Sequence, residues 1–260
     1  MRILVIGDIH GKPGRRILRA RLAGLRKTHG ADLVIANGEN AAGGAGITTD
    51  VVGEIFGSGV EVITGGNHTW HNREAYETLD AESRLLRPAN YPPGAPGHGT
   101  AIVDVGGTPV GVLNLQGRIF MQGIDDPFRA GREHAERLRE QAPVVIVDFH
   151  AEATSEKIAL GWFLDGRVSA LVGTHTHVQT ADERVLPGGT AYISDVGMTG
   201  PRNGVIGMER EGIVERFLTQ LPVRFTVAPG PAQLNAVVLD VDESSGRART
   251  IHRIQEFEEE

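Results

Sequence analysis

Five short apolar runs, each stopping at polar side chains able to bind metal, constrain this chain more than any other feature. Residues 2–7 run into Asp8 and His10, and residues 32–37 into Glu39 and Asn40. Residues 60–66 run into Asn67 and His68, residues 144–150 end in His150, and residues 169–175 end in His175, with His177 two positions on. Residues 14–28 and 49–57 between the first runs carry helical patterns. Strands alternating with helices predict a parallel or mixed sheet with crossover connections. Such sheets bind ligands beyond the carboxyl ends of their strands, where the polar residues fall.

The middle of the chain differs. Residues 87–99 form a Pro/Gly-rich loop, and residues 100–117 read as a hairpin turning at Gly106-Gly107. Residues 131–141 predict a helix and 190–197 a strand, while 224–228 and 236–242 read as antiparallel edge material. The composition never shifts, so one domain over residues 1–260 with two sheets is expected; that length buries a sizeable core. The absence of cysteine excludes disulfides, thiolate metal sites and cysteine nucleophiles, and suits a reducing compartment. No stretch approaches the ~18 apolar residues of a membrane span, so a cytoplasmic protein without membrane contact is expected. A net charge of −7 without a basic stripe argues against stable duplex nucleic-acid binding. Arg15, Arg16, Arg19 and Arg21 read as a solvated helix face, and the EFEEE tail at 256–260 as a frayed end.

Each polar cluster has an ordinary explanation. Asp8 before a helix is a cap; Asn40 and Asn67 sit in Gly-rich turns; a lone His150 is a structural histidine. His175 and His177 are stronger, because alternate residues of an extended segment face one side. Taken together, the ordinary explanations do not account for carboxylate, imidazole and amide recurring at successive strand ends. This nitrogen and oxygen set suits zinc, manganese, iron, nickel or cobalt. It is too large for one ion, and two ions sharing Glu39 is the economical reading. His29, His134 and His252 are assigned to solvated surface and His98 to a loop, while His71 stays open between site and surface. The GxSxG signal of a serine hydrolase is absent, and GGAGIT at 43–48 lacks phosphate-loop spacing.

The order DxH, GEN, GNH, H, GTHTH resembles the calcineurin-like metallophosphoesterase superfamily, with Glu39 where a bridging Asp is usual. The runs NGENAAGGAGIT, GGNHTW, RPANYP, NLQGRIFM, VDFHAEATSEK, GTHTHVQTADE and AYISDVGMTGP resemble, over nearly the whole chain, the YmdB-like family of bacterial phosphodiesterases. That resemblance implies an α/β (mixed α+β) four-layer αββα sandwich with two mixed sheets. It implies one metal held by Asp8, Glu39, Asn40 and His177, and a second held by Glu39, Asn67, His150 and His175. His68 would donate the proton. Iron or manganese is the implied metal, with zinc, nickel or cobalt as alternatives. The implied activity is hydrolysis of 2′,3′-cyclic nucleotides or another small phosphodiester by a hydroxide activated between two metals, in a chain that resembles homo-oligomers. His10 stands where this family often carries an apolar residue and would supplement or compete with Asn40; His71 replaces an Asp. The competing readings are a metal-binding scaffold with little turnover and a metal-dependent amidohydrolase. In the latter, however, HxH normally follows the first strand.

Overall fold

The central strands of this chain are buried on both faces, and the alternation of side-chain direction along them sorts their residues into three apolar layers. The computed structural model describes residues 1–259. In chain order the elements are β1 (Arg2–Ile6), β2 (Asp8–Ile9), α1 (Gly11–His29), β3 (Leu33–Asn37), α2 (Thr49–Gly57), β4 (Val62–Thr64) and α3 (Ala75–Ala81). There follow β5 (Thr100–Val105), β6 (Thr108–Gln116), α4 (Pro127–Arg139), β7 (Val144–His150), α5 (Thr154–Leu164) and β8 (Ala170–Thr174). The rest are β9 (Arg184–Val185), β10 (Ala191–Ile193), β11 (Met198–Pro201), α6 (Arg210–Thr219), β12 (Ala232–Val241) and β13 (Ala248–Phe257).

Two mixed sheets result. In the first, β1 lies between antiparallel β12 and parallel β3, and β3 continues to parallel β4. Strand β13 pairs antiparallel along β12, and β11 joins β12 near Ala232 and carries β2 in parallel. The second sheet has the order β5-β6-β7-β8-β10-β9, parallel from β6 to β10 and antiparallel at both edges. Successive residues of a strand face opposite sides. Ile3, Val5, Leu33, Ile35, Val110, Val112, Val144, Ile146, Ala170 and Val172 therefore pack between the sheets. Leu4, Ile6, Val34 and Ala36 pack under Ile17, Leu18 and Leu22 of α1 and Ile55 of α2. Leu113, Leu115, Val145, Val147 and Phe149 pack under Ala135 and Leu138 of α4 and Leu160 and Leu164 of α5. This is the expected αββα sandwich. No helix among the described residues is long and apolar enough to cross a membrane.

Three expectations need correction. Residues 236–242 are not edge material: β12 has β1 on one side and β13 on the other, so it is a central strand. Residues 224–228 form no strand; Val227 makes an isolated bridge with Met208. The acidic tail is not frayed as a whole. Strand β13 reaches Phe257, and Glu258 accepts from the Ala232 amide at 2.8 Å and pairs with Arg16 at 2.6 Å; Glu260 lies outside the described residues.

Candidate metal centre

The parity that fills the inter-sheet layer also delivers the polar site. On β7 the inward series Val144, Ile146 continues as Asp148 and His150. On β3 it continues past Leu33 and Ile35 to Asn37, on β4 past Val62 to Thr64, and on β8 past Ala170 and Val172 to Thr174. The carboxyl ends of both sheets thus present buried polar groups to the same gap, just below the loops that carry the other donors.

His150 sits at the centre with no exposed surface. Its Nδ1 lies 3.0 Å from Thr174 Oγ1, whose hydroxyl donates to Asp148 Oδ1 at 2.7 Å. The hydroxyl proton is thereby committed, so Nδ1 carries a hydrogen and donates to Thr174. Around Nε2 gather Asn67 Oδ1 at 3.0 Å, His175 Nδ1 at 3.0 Å and Glu39 Oε2 at 3.1 Å. Glu39, His150 and His175 form a group whose ligand atoms lie within 4.8 Å of one another. A second cluster lies on the other oxygen of Glu39. Asn40 Nδ2 donates to Glu39 Oε1 at 2.9 Å and to His177 Nε2 at 3.2 Å. His177 Nδ1 donates to the Ile206 carbonyl at 2.9 Å, which leaves Nε2 as its lone-pair nitrogen. Asp8 completes the set: Oδ2 accepts from the His175 amide at 3.2 Å, while Oδ1 is buried without a hydrogen-bond partner.

Asp8, Glu39, Asn40, Asn67, His150, His175 and His177 are therefore brought together. His68 borders them with its side chain 40% exposed; Nδ1 lies 2.7 Å from Asn40 Oδ1, and its amide donates to Glu39 Oε2 at 3.0 Å. His10 is buried, with neither ring nitrogen hydrogen-bonded, and its ring stands 5.5 Å from that of His177. His71 is exposed and meets His68 only edge-on at 6.4 Å. His98 belongs to another surface cleft, lined also by Arg84, His134 and Arg137. His29 and His134 are half-buried rather than fully solvated.

The reason for trusting HxH needs correction. His175 (φ 99°) and His177 (φ 66°) are left-handed rather than extended, so they do not share a side: one turns to His150, the other to Asn40. Positive φ on a residue with a side chain costs on the order of 1–3 kcal/mol unless the surroundings hold it. Here Asp195 grips the residue between them: Oδ2 accepts from the Thr176 amide at 3.0 Å, its hydroxyl at 2.7 Å and Lys157 Nζ at 2.7 Å. The Lys157–Asp195 pair is nearly fully buried. Replacing Lys157 with Met should lower stability to urea by about 3–5 kcal/mol, the usual cost of leaving a buried partner charge alone. An unchanged midpoint would show that the pair is dispensable.

The electrostatics are those of a crowded, dry site. Burial opposes ionisation of Glu39, but His150 and His68 hold its carboxyl well below the usual range. Burial likewise opposes charge on His150, yet Glu39 and Asp8 outweigh it and lift the imidazole to about 9. Burial raises Asp8 to about 6 against the pull of His177 and His150. Burial and the neighbouring imidazoles lower His10 and His175 to about 3 each.

Several residues of this site do not stand out in the sequence: Asn37, Thr64, Asp148 and Thr174 behind His150, and Lys157 with Asp195 behind the His175 loop. The inward parity of β7 is a signal for Asp148, since it stands two residues before His150. Gly66 is not needed for a left-handed turn, because its φ is not positive; a methyl group there would collide with Glu39 Oε2 and the His150 ring.

Two mixed sheets sandwiched by helices, with nitrogen and oxygen donors gathered beyond their strand ends, define a metallophosphoesterase-type fold. The model of the YmdB-like protein family matches residues 4–254, and the chain belongs to that family. It is 51% identical over 254 residues to the 2′,3′-cyclic-nucleotide 2′-phosphodiesterase of Bacillus subtilis, covering 98% of this chain and 96% of that protein. A hypothetical protein from Thermus thermophilus superposes with a TM-score of 0.94 at 45% identity, over the full length of both chains. A phosphatase from Mycoplasma pneumoniae also superposes with a TM-score of 0.94, at 35% identity over 99% of this chain and 93% of that one.

Proposed function

We propose that the chain is a metal-dependent phosphodiesterase that opens 2′,3′-cyclic nucleotides with two metal ions bound across Glu39. The observation that carries this reading is the division of Glu39 itself: Oε2 faces His150, and Oε1 faces Asn40, which reaches His177. The donor set fits metal ions. With Nδ1 of His150 committed to Thr174, Nε2 is the nitrogen that faces Glu39 Oε2 and Asn67 Oδ1, two acceptors, and a cation there would take the place of the proton that Nε2 otherwise carries. On the other side of Glu39, Oε1 and His177 Nε2 are two acceptors that share the Asn40 amide nitrogen, and a cation between them would meet the same demand. The unpaired Asp8 Oδ1 adds to the demand.

On this reading Asp8, Glu39, Asn40 and His177 hold one ion, and Glu39, Asn67, His150 and His175 the other, with iron or manganese suited to the donors. Two such ions, when bound, would supply an activated water near neutral pH and neutralise the phosphate oxygens. The chain's own side chains do the rest. The His150–Thr174–Asp148 series fixes which nitrogen of His150 faces the centre, and the Ile206 carbonyl does so for His177. His68, on the open side, protonates the departing ribose oxygen. The whole chain acts as one catalytic unit, since Glu39 and Asn67 follow strands of the first sheet while His150 ends one strand of the second and His175 follows another. This sharing also supports the single-domain reading.

The test is turnover by the metal-loaded protein of 2′,3′-cyclic AMP and of bis(p-nitrophenyl) phosphate. Both should be hydrolysed, and a chelator should abolish both. Full metal loading without turnover of either would instead identify a metal-binding scaffold.

A further inference from the structure

The cavity in front of the metal donors is lined by both polar and apolar side chains. It measures about 330 Å³, near the lower end of small-molecule sites. Its polar lining includes Glu39, Asn40, His68, Glu152, His175 and His177, and its apolar lining is Ile206, Met208, Ile213 and Phe225. The apolar four come from a single stretch of chain that is tied to the site. Met208 and Val205 exchange backbone hydrogen bonds at 2.8 and 3.0 Å, the Glu209 amide donates to Thr226 at 2.9 Å, and Ala228 donates to Gly207 at 2.9 Å. The Ile206 carbonyl that receives His177 Nδ1 belongs to the same stretch, so a side chain of this wall and a site imidazole are fixed by one residue.

Two of these side chains are more exposed than their chemistry favours: Ile206 is 52% and Phe225 40% accessible. Ile206 also holds φ at 46°, an outlying value for a β-branched residue, and lines the cavity. The Arg216 guanidinium stands 5.5 Å from the Phe225 ring centre and steadies the ring. A phosphodiester anion has no use for such a wall. A flat apolar group attached a short way from the phosphate does.

We propose that Ile206, Met208, Ile213 and Phe225 form the nucleobase-binding side of the site, holding the base by stacking and apolar contact without reading its hydrogen-bonding edge. The inference rests on the cyclic-nucleotide reading above. None of the four side chains offers a hydrogen-bonding group stronger than a thioether, so adenine and guanine are held alike and a larger base is held better than a smaller one. Base–aromatic stacking tolerates any base for the same reason: every base has a π-face.

The experiment compares KM of the metal-loaded full-length protein for 2′,3′-cyclic AMP, GMP and UMP and for ribose 2′,3′-cyclic phosphate lacking a base. Removing the base should raise KM about tenfold. Phe225→Ala should raise KM for cyclic AMP by about the same factor, Phe225→Leu by less, and neither should change KM for the base-free substrate. Circular dichroism and urea midpoints of both variants should match the parent, since the ring is partly exposed. Equal KM with and without the base, equal effects of Phe225→Ala on both substrates, or an adenine–guanine difference beyond about tenfold would each overturn the proposal. Should no cyclic nucleotide be cleaved while bis(p-nitrophenyl) phosphate is, the substrate reading fails on its own. The wall is then tested by inhibition with adenosine 3′-monophosphate against ribose 5-phosphate, and equal inhibition overturns it.

Discussion

Replacing His68 with Ala should leave two metal ions per chain and lower turnover of a nucleotide diester by about 10²–10⁴-fold, the usual size of a general-acid contribution. The backbone at this position is held independently of the ring, because the His68 amide donates to Glu39 Oε2 at 3.0 Å. Losing the ring removes one contact to Asn40, which Glu39 and His177 still hold. The metal donors therefore keep their places. The ring itself lines the cavity from a partly exposed position, with Nδ1 fixed against Asn40 Oδ1 at 2.7 Å. That contact leaves Nε2 free, and the imidazolium form donates from both nitrogens. A ribose alkoxide leaves poorly without a proton, whereas nitrophenolate leaves unaided. The loss should accordingly shrink to a small factor for bis(p-nitrophenyl) phosphate. Equal losses for the two substrates, with metal content intact, would reduce His68 to a group that orients the phosphate.

The strands and the polar side chains that end them are legible in the sequence because both follow from local periodicity, whereas the four-layer arrangement comes from the family resemblance. An apolar run stopping at a polar pair marks a strand and its carboxyl end together, which is why β1, β3, β4, β7 and β8 and the residues after them can be read directly. The groups that steady those donors are not legible in the same way. Asp148 and Thr174 lie inside runs that read as apolar strands, and their purpose appears only when β7 and β8 are paired, with His150 opposite Thr174. Lys157 looks like an ordinary helix lysine until α5 packs it against Asp195, 38 residues further along the chain. The central place of β12 escapes a sequence reading for a related reason. Its partners β1 and β13 are fixed by long-range pairing, and nothing local distinguishes a central antiparallel strand from an edge one. His175 and His177 stand out in the sequence for a reason that the structure does not support. Their spacing implies one extended face, but the left-handed turn at each sends them to different partners, His175 to His150 and His177 to Asn40.

Glu39→Ala should cost the protein both metal ions, whereas Asn40→Ala should cost it mainly one. Glu39 faces both donor clusters: Oε2 is 3.1 Å from His150 Nε2, and Oε1 is 2.9 Å from Asn40 Nδ2. Without it the His150, Asn67 and His175 group retains no carboxylate, and the Asn40 and His177 group retains only Asp8. A carboxylate adds a full negative charge that the imidazole and amide donors lack, and at Glu39 that charge faces both clusters, so its loss weakens both. Asn40 is a neutral amide on the Oε1 side, and its removal leaves His150, Asn67, His175 and Glu39 Oε2 untouched. Elemental analysis after dialysis against dilute metal should therefore find close to no metal in Glu39→Ala and about one ion per chain in Asn40→Ala. Glu39→Gln separates charge from shape: it keeps the side-chain length and one acceptor oxygen but still should lose most of the metal. Folding can be followed apart from metal content, because Glu39 and Asn40 lie beyond the end of β3 and take no part in its ladder with β1 and β4. Equal metal loss from Glu39→Ala and Asn40→Ala, with both variants folded, would remove the bridging role from Glu39 and with it the case for a paired centre.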